Sequence, residues 1–226
     1  MTEKINPYLL TLYESYENRP AIKGLIQILT VYGLPVGAIA DTVLGTYVNK
    51  IKADRLRVFF EELNTGDAVL TEDSITNTDF LHAYFSTVNY VIRTRSDDKL
   101  KRFARILKNL YIDKVTIDEY EDYTSIFNDL SDREFSVLCL KYSFETKHSS
   151  NSNNLNPLQL TSSYWEQFKK EVCSLINIDE TEFNPILVRI QRTGCYVTHK
   201  GYWNESAEDI GDTSELFKKL YRLVDN

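Results

Sequence analysis

The sequence predicts a mainly α protein, in which an N-terminal helical bundle is followed by a C-terminal helical part that carries a small β-hairpin. Three observations predict this fold class. Helix-capping patterns recur along the chain, apolar residues follow them at helical spacing, and glycine and proline are scarce, at 8 and 5 of 226 residues. Sandwiches and barrels need many tight turns, which are rich in glycine and proline. Helices are therefore the expected elements.

Composition and charge limit the classes of function that this chain could have. With 42% hydrophobic and 26% charged residues, the chain has the composition of an ordinary globular protein. Its net charge of −7 argues against strong nonspecific binding of nucleic acid, which requires many basic side chains on phosphates. The 3 cysteines form no CxxC pair. They indicate reduced, mostly buried thiols in a cytoplasmic protein.

The N-terminal part contains an apolar stretch, residues 24–48, that allows three interpretations. The run between Lys23 and Asp41 is uncharged but is interrupted at Gly33, Pro35 and Gly37, which predicts two short helices. We expect a helical hairpin buried in the domain core. The alternatives are a membrane-active hairpin that inserts residues 24–48 beside anionic lipid, and an interface between copies of the chain.

Capping patterns mark the helix starts of the second half. Thr116–Glu119, Ser131–Glu134 and Ser163–Glu166 each fit the capping box, in which a hydroxyl and a carboxylate satisfy two free backbone N–H groups. Ser96 precedes two aspartates and indicates a further start. Four apolar stripes at helical spacing follow. Their members are Leu81, Tyr84, Phe85, Val88, Val91 and Ile92; Leu100, Phe103, Ala104, Leu107 and Leu110; Phe135, Leu138, Cys139 and Tyr142; and Trp165, Phe168, Val172 and Leu175.

The C-terminal part, residues 131–226, has the element order of a winged helix. Asn184-Pro185 predicts the start of a short helix, and Gly194 its end. The following CYVTHKGYW predicts a hairpin that turns at Lys200-Gly201. Residues 1–130 then form the N-terminal helical domain. The polar segments 64–79 and 148–157 are expected to be linkers.

A winged helix would place its recognition helix at residues 185–193. The outward residues Arg189, Gln191 and Arg192, with Lys200 at the wing tip, could then read base edges in a major groove. Residues 131–226 carry 11 basic and 14 acidic side chains, however, and a field of that sign repels DNA. We therefore expect these four residues to bind a protein partner, with DNA binding as the alternative.

A basic helix supplies a second candidate binding surface. Lys101, Arg105 and Lys108 share the side opposite its apolar stripe. They form a solvated helix face, or a surface that meets phosphates or an acidic partner. No nucleotide-binding, metalloprotease or hydrolase motif occurs in the sequence. We expect no catalytic residues, no metal and no cofactor, and hence a non-enzymatic interaction protein that acts with a protein partner or as a homo-oligomer.

A family resemblance rests on the order of three segments. The interrupted apolar stretch leads into ADRLRVFFEEL, then RSDDKLKRFARILKNLY, and the chain later reads ILVRIQRTGCYVT. This order resembles bacterial helical proteins of the abortive-infection alpha type, over most of the chain. The resemblance implies a role in phage defence or a stress response. It supplies no site residues.

Overall fold

The computed structural model describes residues 7–31, 43–65, 70–112, 115–149, 155–199 and 210–225. Within them the protein is mainly helical and has one small antiparallel hairpin, which confirms the predicted fold class at that level. The chain divides into two compact units, Met1–Thr124 with Val224–Asn226, and Ser125–Leu223.

Helices build the first unit. They are α1 (Pro7–Glu14), α2 (Pro20–Val31), α3 (Val43–Leu63), α4 (Glu72–Thr76), α5 (Thr78–Val91), α6 (Asp97–Ile112) and the first part of α7 (Ile117–Asp129). The second unit contains the end of α7, then α8 (Asp132–His148), α9 (Pro157–Ile176), α10 (Glu180–Arg192), β1 (Tyr196–Thr198), β2 (Gly211–Thr213) and most of α11 (Glu215–Asp225).

Aromatic side chains fill the core of the first unit. Phe60 of α3 packs on Tyr84 of α5 with ring centroids 6.4 Å apart, and both side chains are fully buried. The Tyr84 hydroxyl donates to the Leu25 carbonyl of α2 at 3.1 Å. This bond satisfies a polar group that would otherwise be costly to bury. Burial raises the pKa of Tyr84 well above its ordinary value.

Within the apolar stretch, the α2 residues lie in this core, whereas Tyr47 and Val48 at its end are 63% and 39% exposed. Leu25, Ile26 and Leu29 of α2 are at most 2% exposed. Gly24 lies close to α4, because a Cβ there would meet Ile75 Cδ1 at 2.6 Å. Gly33, Pro35 and Gly37 lie outside the described residues. Among the helices that the structure describes, none combines the length and the apolar character needed to cross a bilayer.

Two predicted capping boxes are confirmed and one is wrong. Glu134 Oε2 accepts from the Ser131 amide at 2.7 Å, and Ser131 Oγ accepts from the Glu134 amide at 3.2 Å. Thr116 and Glu119 form the same pair of bonds. Ser163 instead lies inside α9, where its hydroxyl donates to the Leu160 carbonyl at 2.6 Å. The helix starts earlier because Asn156 and Gln159 form its capping box.

The buried faces of two helices differ from the predicted stripes. In α9, Leu175 is 55% exposed, whereas Ile176 is buried just before the left-handed Asn177. In α8, Cys139 and Tyr142 are half-buried, and Lys141, at 1% exposed, lies deeper than either. Apolar spacing alone favours Tyr142, but the polar partners of Lys141 compensate for its burial.

Helix α10 begins before the predicted start. Asp179 is its N-cap, and the Asp179 amide donates to Glu182 Oε2 at 3.3 Å. Pro185 therefore lies inside the helix rather than at its first position. The helix thus tolerates a proline that donates no backbone hydrogen bond, and Glu182 caps the start at Asp179. The end is as predicted, with Gly194 at φ 75° beyond the last turn.

The return strand of the hairpin lies further along the chain than predicted. Tyr196 pairs with Thr213 and Thr198 with Gly211, so the return strand lies beyond the aromatic Tyr202-Trp203. The predicted turn at Lys200-Gly201 lies outside the described residues. Gly211 permits the pairing, because a Cβ there would come within 2.1 Å of the Val197 carbonyl oxygen.

Candidate functional site

The predicted partner-binding residues of α10 lie on its outer surface. Arg189, Gln191 and Arg192 are all exposed. Two of them contact other elements of the second unit: Arg189 Nε lies 3.0 Å from Glu134 Oε1 of α8, and Gln191 Nε2 donates to Thr198 Oγ1 of β1 at 3.3 Å. Lys200 lies outside the described residues.

Glu134 connects the start of α8 to α10. One carboxylate oxygen caps α8 through the Ser131 amide, and the other pairs with Arg189. The Glu134 side chain is 5% exposed, whereas that of Arg189 is 63% exposed. The buried carboxylate therefore holds Nε of a guanidinium that has further N–H donors, on a side chain that remains largely exposed. The result is an oriented arginine on the outer surface of α10.

The basic face of α6 also contacts the rest of its unit. Arg105 Nε donates to Glu62 Oε1 of α3 at 2.7 Å, and Lys108 Nζ donates to the Thr65 carbonyl. Lys101 is exposed. Arg105 and Lys108 thus fasten α6 to the end of α3, and Lys101 is the member of this face that lies most open to solvent.

The second unit contains a buried ionic network that the sequence did not indicate. Its centre is Lys141 of α8, whose side chain is 1% exposed. Lys141 Nζ donates to Asp212 Oδ1 at 2.7 Å, to Glu145 Oε1 at 2.9 Å and to the Tyr164 hydroxyl at 2.9 Å. An ammonium has three N–H donors, so these bonds use all of them.

The two carboxylates of the network are bonded further. Asp212 Oδ1 accepts from Thr161 Oγ1 at 2.7 Å, and Asp212 Oδ2 lies 2.8 Å from His199 Nε2. Glu145 accepts from the amide and the hydroxyl of Thr213, at 2.7 and 2.5 Å. The network therefore joins β2 to α8 and α9, and through His199 it also holds the residue that follows β1.

The charges of the network stabilise one another. Burial alone would lower the pKa of Lys141, but the carboxylates of Glu145 and Asp212 raise this pKa above its ordinary value. Burial alone would raise the pKa of Asp212, but the Lys141 ammonium and the hydrogen bonds from Lys141, Thr161 and His199 lower it. Lys141 is therefore protonated and Asp212 ionised at neutral pH.

This arrangement suits a structural cross-link better than a reactive centre. A nucleophilic lysine needs a free amine and a lowered pKa. Lys141 has a raised pKa, and its three donors are occupied. Among the described residues, no group of three or more His, Cys, Asp or Glu side chains is placed to hold a metal ion. The carboxylates of Asp212 and Glu145 are used to hold β2.

One signal in the sequence could have located part of the network. Lys141 lies three residues before the buried Phe144 and three residues after Leu138, so it falls on the apolar face of α8. A lysine at such a position requires a buried partner, and Glu145 is the local one, at i+4. Asp212 lies 71 residues away along the chain, and no local pattern connects it to Lys141.

In comparisons with protein-family models, curated proteins and solved structures, nothing matches this chain.

Proposed function

We propose that this protein is a non-enzymatic bacterial interaction protein, a component of a phage-defence or stress system, and that its C-terminal winged-helix-like part binds a protein partner through α10. The observation that carries the proposal is the oriented Arg189, fixed by Glu134 beside exposed residues of the same helix. Arginine is enriched at protein interfaces, and preorganisation lowers the entropic cost of binding.

The outer surface of α10 has the chemistry of a small protein-binding site. Val188 is 38% exposed, and Arg192 follows one turn later on the same side. An exposed aliphatic group one turn from an exposed arginine suits a partner segment that presents an apolar side chain and a carboxylate. The buried network supports this role, because it fixes the hairpin to α8 and α9 while Gln191 contacts Thr198 of β1.

Two substitutions that each place a carboxylate on α10 test the proposal. We expect Val188→Glu and Arg192→Glu each to reduce recovery of the partner about tenfold. Val188→Glu places a charge against an apolar group of the partner, and Arg192→Glu places a carboxylate against an acidic one. The measurement is quantitative mass spectrometry of proteins co-purified from the native bacterium, with native mass spectrometry for self-association. Lys170→Glu, an exposed charge reversal on α9, is the matched control.

Two results would count against this function. In the first, the α10 variants and the control co-purify the same proteins, and have the same native mass, as the unmodified chain. The other is loss of the same partner in Lys170→Glu, which would indicate general electrostatic attraction instead of a site on α10.

A DNA-binding regulator is the second candidate, favoured by the element order α8, α9, α10 and hairpin. The Arg189–Glu134 pair speaks against it, because Glu134 offsets the charge that a phosphate or base edge would meet. Fluorescence anisotropy with duplex DNA distinguishes the two. DNA binding requires an affinity that falls steeply with salt and that is lost in Arg192→Glu.

A further inference from the structure

The first unit contains a surface cleft that the proposed function does not use. Its volume is about 410 Å³, and it is lined by three arginines, Arg55 and Arg57 of α3 and Arg95, two residues before α6. Two aspartates and two aliphatic side chains complete the lining. These are Asp54, Asp97, Ile51 and Val58. Sites for small organic ligands start at about 300 Å³, so the cleft is large enough for one.

Two of the guanidiniums are oriented by neighbouring groups. Arg55 Nη1 donates to the Ile92 carbonyl at the end of α5. Arg57 Nη1 lies 2.8 Å from Glu61 Oε1, one turn further along α3, and the Arg57 side chain remains 55% exposed. A guanidinium has five N–H donors. Each of these contacts engages one terminal nitrogen, which leaves further donors for a ligand.

Arg95 supplies a third guanidinium from a different element. It is exposed and lies between the end of α5 and the cap residue Ser96 of α6. Three arginine side chains line the cleft, and guanidiniums suit a phosphate group, because their planar forks pair with its oxygens in bidentate fashion. Asp97 and Asp98 occupy the first turn of α6, so the attraction for an anion comes from the arginines and not from the helix terminus.

The two aspartates restrict the kind of phosphate that fits. Asp54 and Asp97 repel any phosphate, but their carboxylates accept hydrogen bonds from the hydroxyl groups of an organic phosphate, which offset that repulsion. Ile51 and Val58 offer apolar contact to a ring. We propose that this cleft binds a small soluble organic phosphate that carries hydroxyl groups, the chemistry of a sugar phosphate or a ribonucleotide.

Calorimetric titration of the full chain at low salt tests the proposal. The probes are AMP and glucose 6-phosphate, with adenosine and inorganic phosphate for comparison. We expect saturable binding of at least one organic phosphate with Kd of about 1 mM or below. Arg95→Ala should weaken it about tenfold, because a charge-assisted bidentate contact is lost. Arg93→Ala is the matched control, since Arg93 is exposed, lies two residues earlier and does not line the cleft.

A separate substitution tests the role of the aspartates in ligand preference. Asp54→Asn should reduce the preference for the organic phosphate over inorganic phosphate, because a neutral amide accepts weaker hydrogen bonds from the ligand's hydroxyl groups than a carboxylate does. Arg95 and Asp54 are both exposed, and circular dichroism verifies that the variants are folded.

Several outcomes would overturn the proposal. They are the absence of saturable binding of both organic phosphates, equal affinity for adenosine and AMP, and equal affinity for inorganic and organic phosphate in the unmodified chain. Equal weakening by Arg93→Ala and Arg95→Ala would show attraction by general surface charge. Binding only to phosphatidylserine vesicles would assign the arginines to a membrane surface. None of these results bears on α10, so the two proposals fail separately.

Discussion

Lys141 shows how a single buried charge can organise its surroundings. Its ammonium makes three hydrogen bonds, and Nζ also lies over the rings of Tyr164 and Phe168, 5.0 and 5.9 Å from their centroids. Removing one partner of a buried ion pair is costly because the other charge stays buried without compensation. We therefore expect the stability of the second unit to be sensitive to the charge of Lys141.

We expect Lys141→Met to lower the free energy of unfolding by about 3 kcal/mol, since it leaves the carboxylates of Asp212 and Glu145 without their cation. Urea denaturation followed by tryptophan fluorescence measures the change. Lys147→Met on the same helix is the control, because Lys147 is exposed and its loss should cost well under about 1 kcal/mol. Equal stability of the two variants would contradict the assignment of the network.

The pKa of Asp212 predicts how stability depends on pH. A carboxyl whose pKa is lowered on folding stabilises the folded state fully above its unfolded pKa, here near the ordinary value of 3.8, and loses that contribution as pH falls through the folded pKa. We expect the unmodified protein to be more stable than Asp212→Asn at neutral pH, and the difference to shrink below pH 3.8. Urea denaturation at a series of pH values measures it.

The raised pKa of Lys141 sets the upper pH limit of the range in which the network stabilises the fold. Its contribution is fully present below the ordinary value of 10.5 and is lost only as pH rises through the higher folded pKa. The difference between the two proteins should therefore persist between these limits. Asp118→Asn, at an exposed carboxylate of α7, is the control. A difference that is independent of pH below 3.8 would show that the Asp212 charge is not responsible.

At the scale of elements, the helix ends follow local chemistry wherever one cap dominates. Ser96, Thr116 and Ser131 each accept a backbone N–H three residues on, as their spacing predicts. Two errors arose where a second cap competed. Asn156 starts α9 before Ser163, and Asp179 starts α10 before Asn184. In both helices the earlier cap gives a longer helix and buries more apolar surface.

The two serines of predicted capping boxes give a direct comparison. Ser131→Ala removes the acceptor for the Glu134 amide, and we expect it to cost about 1 kcal/mol of stability. Ser163→Ala, inside α9, replaces an exposed serine by a better helix former, so it should leave stability unchanged or raise it by a few tenths, roughly 0.3 kcal/mol. Thermal unfolding of both variants measures this. A larger loss in Ser163→Ala would contradict the observed start of α9.

At the scale of the whole molecule, the chain contains two compact units, each with its own buried core. The aromatic core of the first unit is formed by α2, α3, α5 and α6, and the network and the α10 surface belong to the second unit. A function carried by α10 should therefore be separable from the helical structure of the N-terminal part.

A chain that ends at Leu130 tests this division. It lacks α8 to α11, so we expect it to lose partner binding while it keeps a helical circular dichroism spectrum, because Phe60, Tyr84 and Phe103 of the first core remain. Partner binding is measured by the same quantitative co-purification. Undiminished recovery of the partner would assign the binding surface to the N-terminal part.

The sequence by itself determined the helical class, several helix ends and the presence of a short hairpin. These features depend on interactions within about four residues, such as capping boxes and apolar spacing. Such short-range patterns can be identified directly in the sequence. The proposed binding residues Arg189, Gln191 and Arg192 were predicted from outward helical spacing, but the contacts of Arg189 with Glu134 and of Gln191 with Thr198 were not.

Only the tertiary structure decided the burial of Lys141, its pairing with Asp212 across 71 residues and the position of β2. It also brought Arg95 to the cleft beside Arg55 and Arg57. Such contacts join groups that no local spacing relates, and their net energy depends on how far each group is desolvated. Desolvation is a property of the packed chain, so the reason for a buried lysine appears only once its partners are in place.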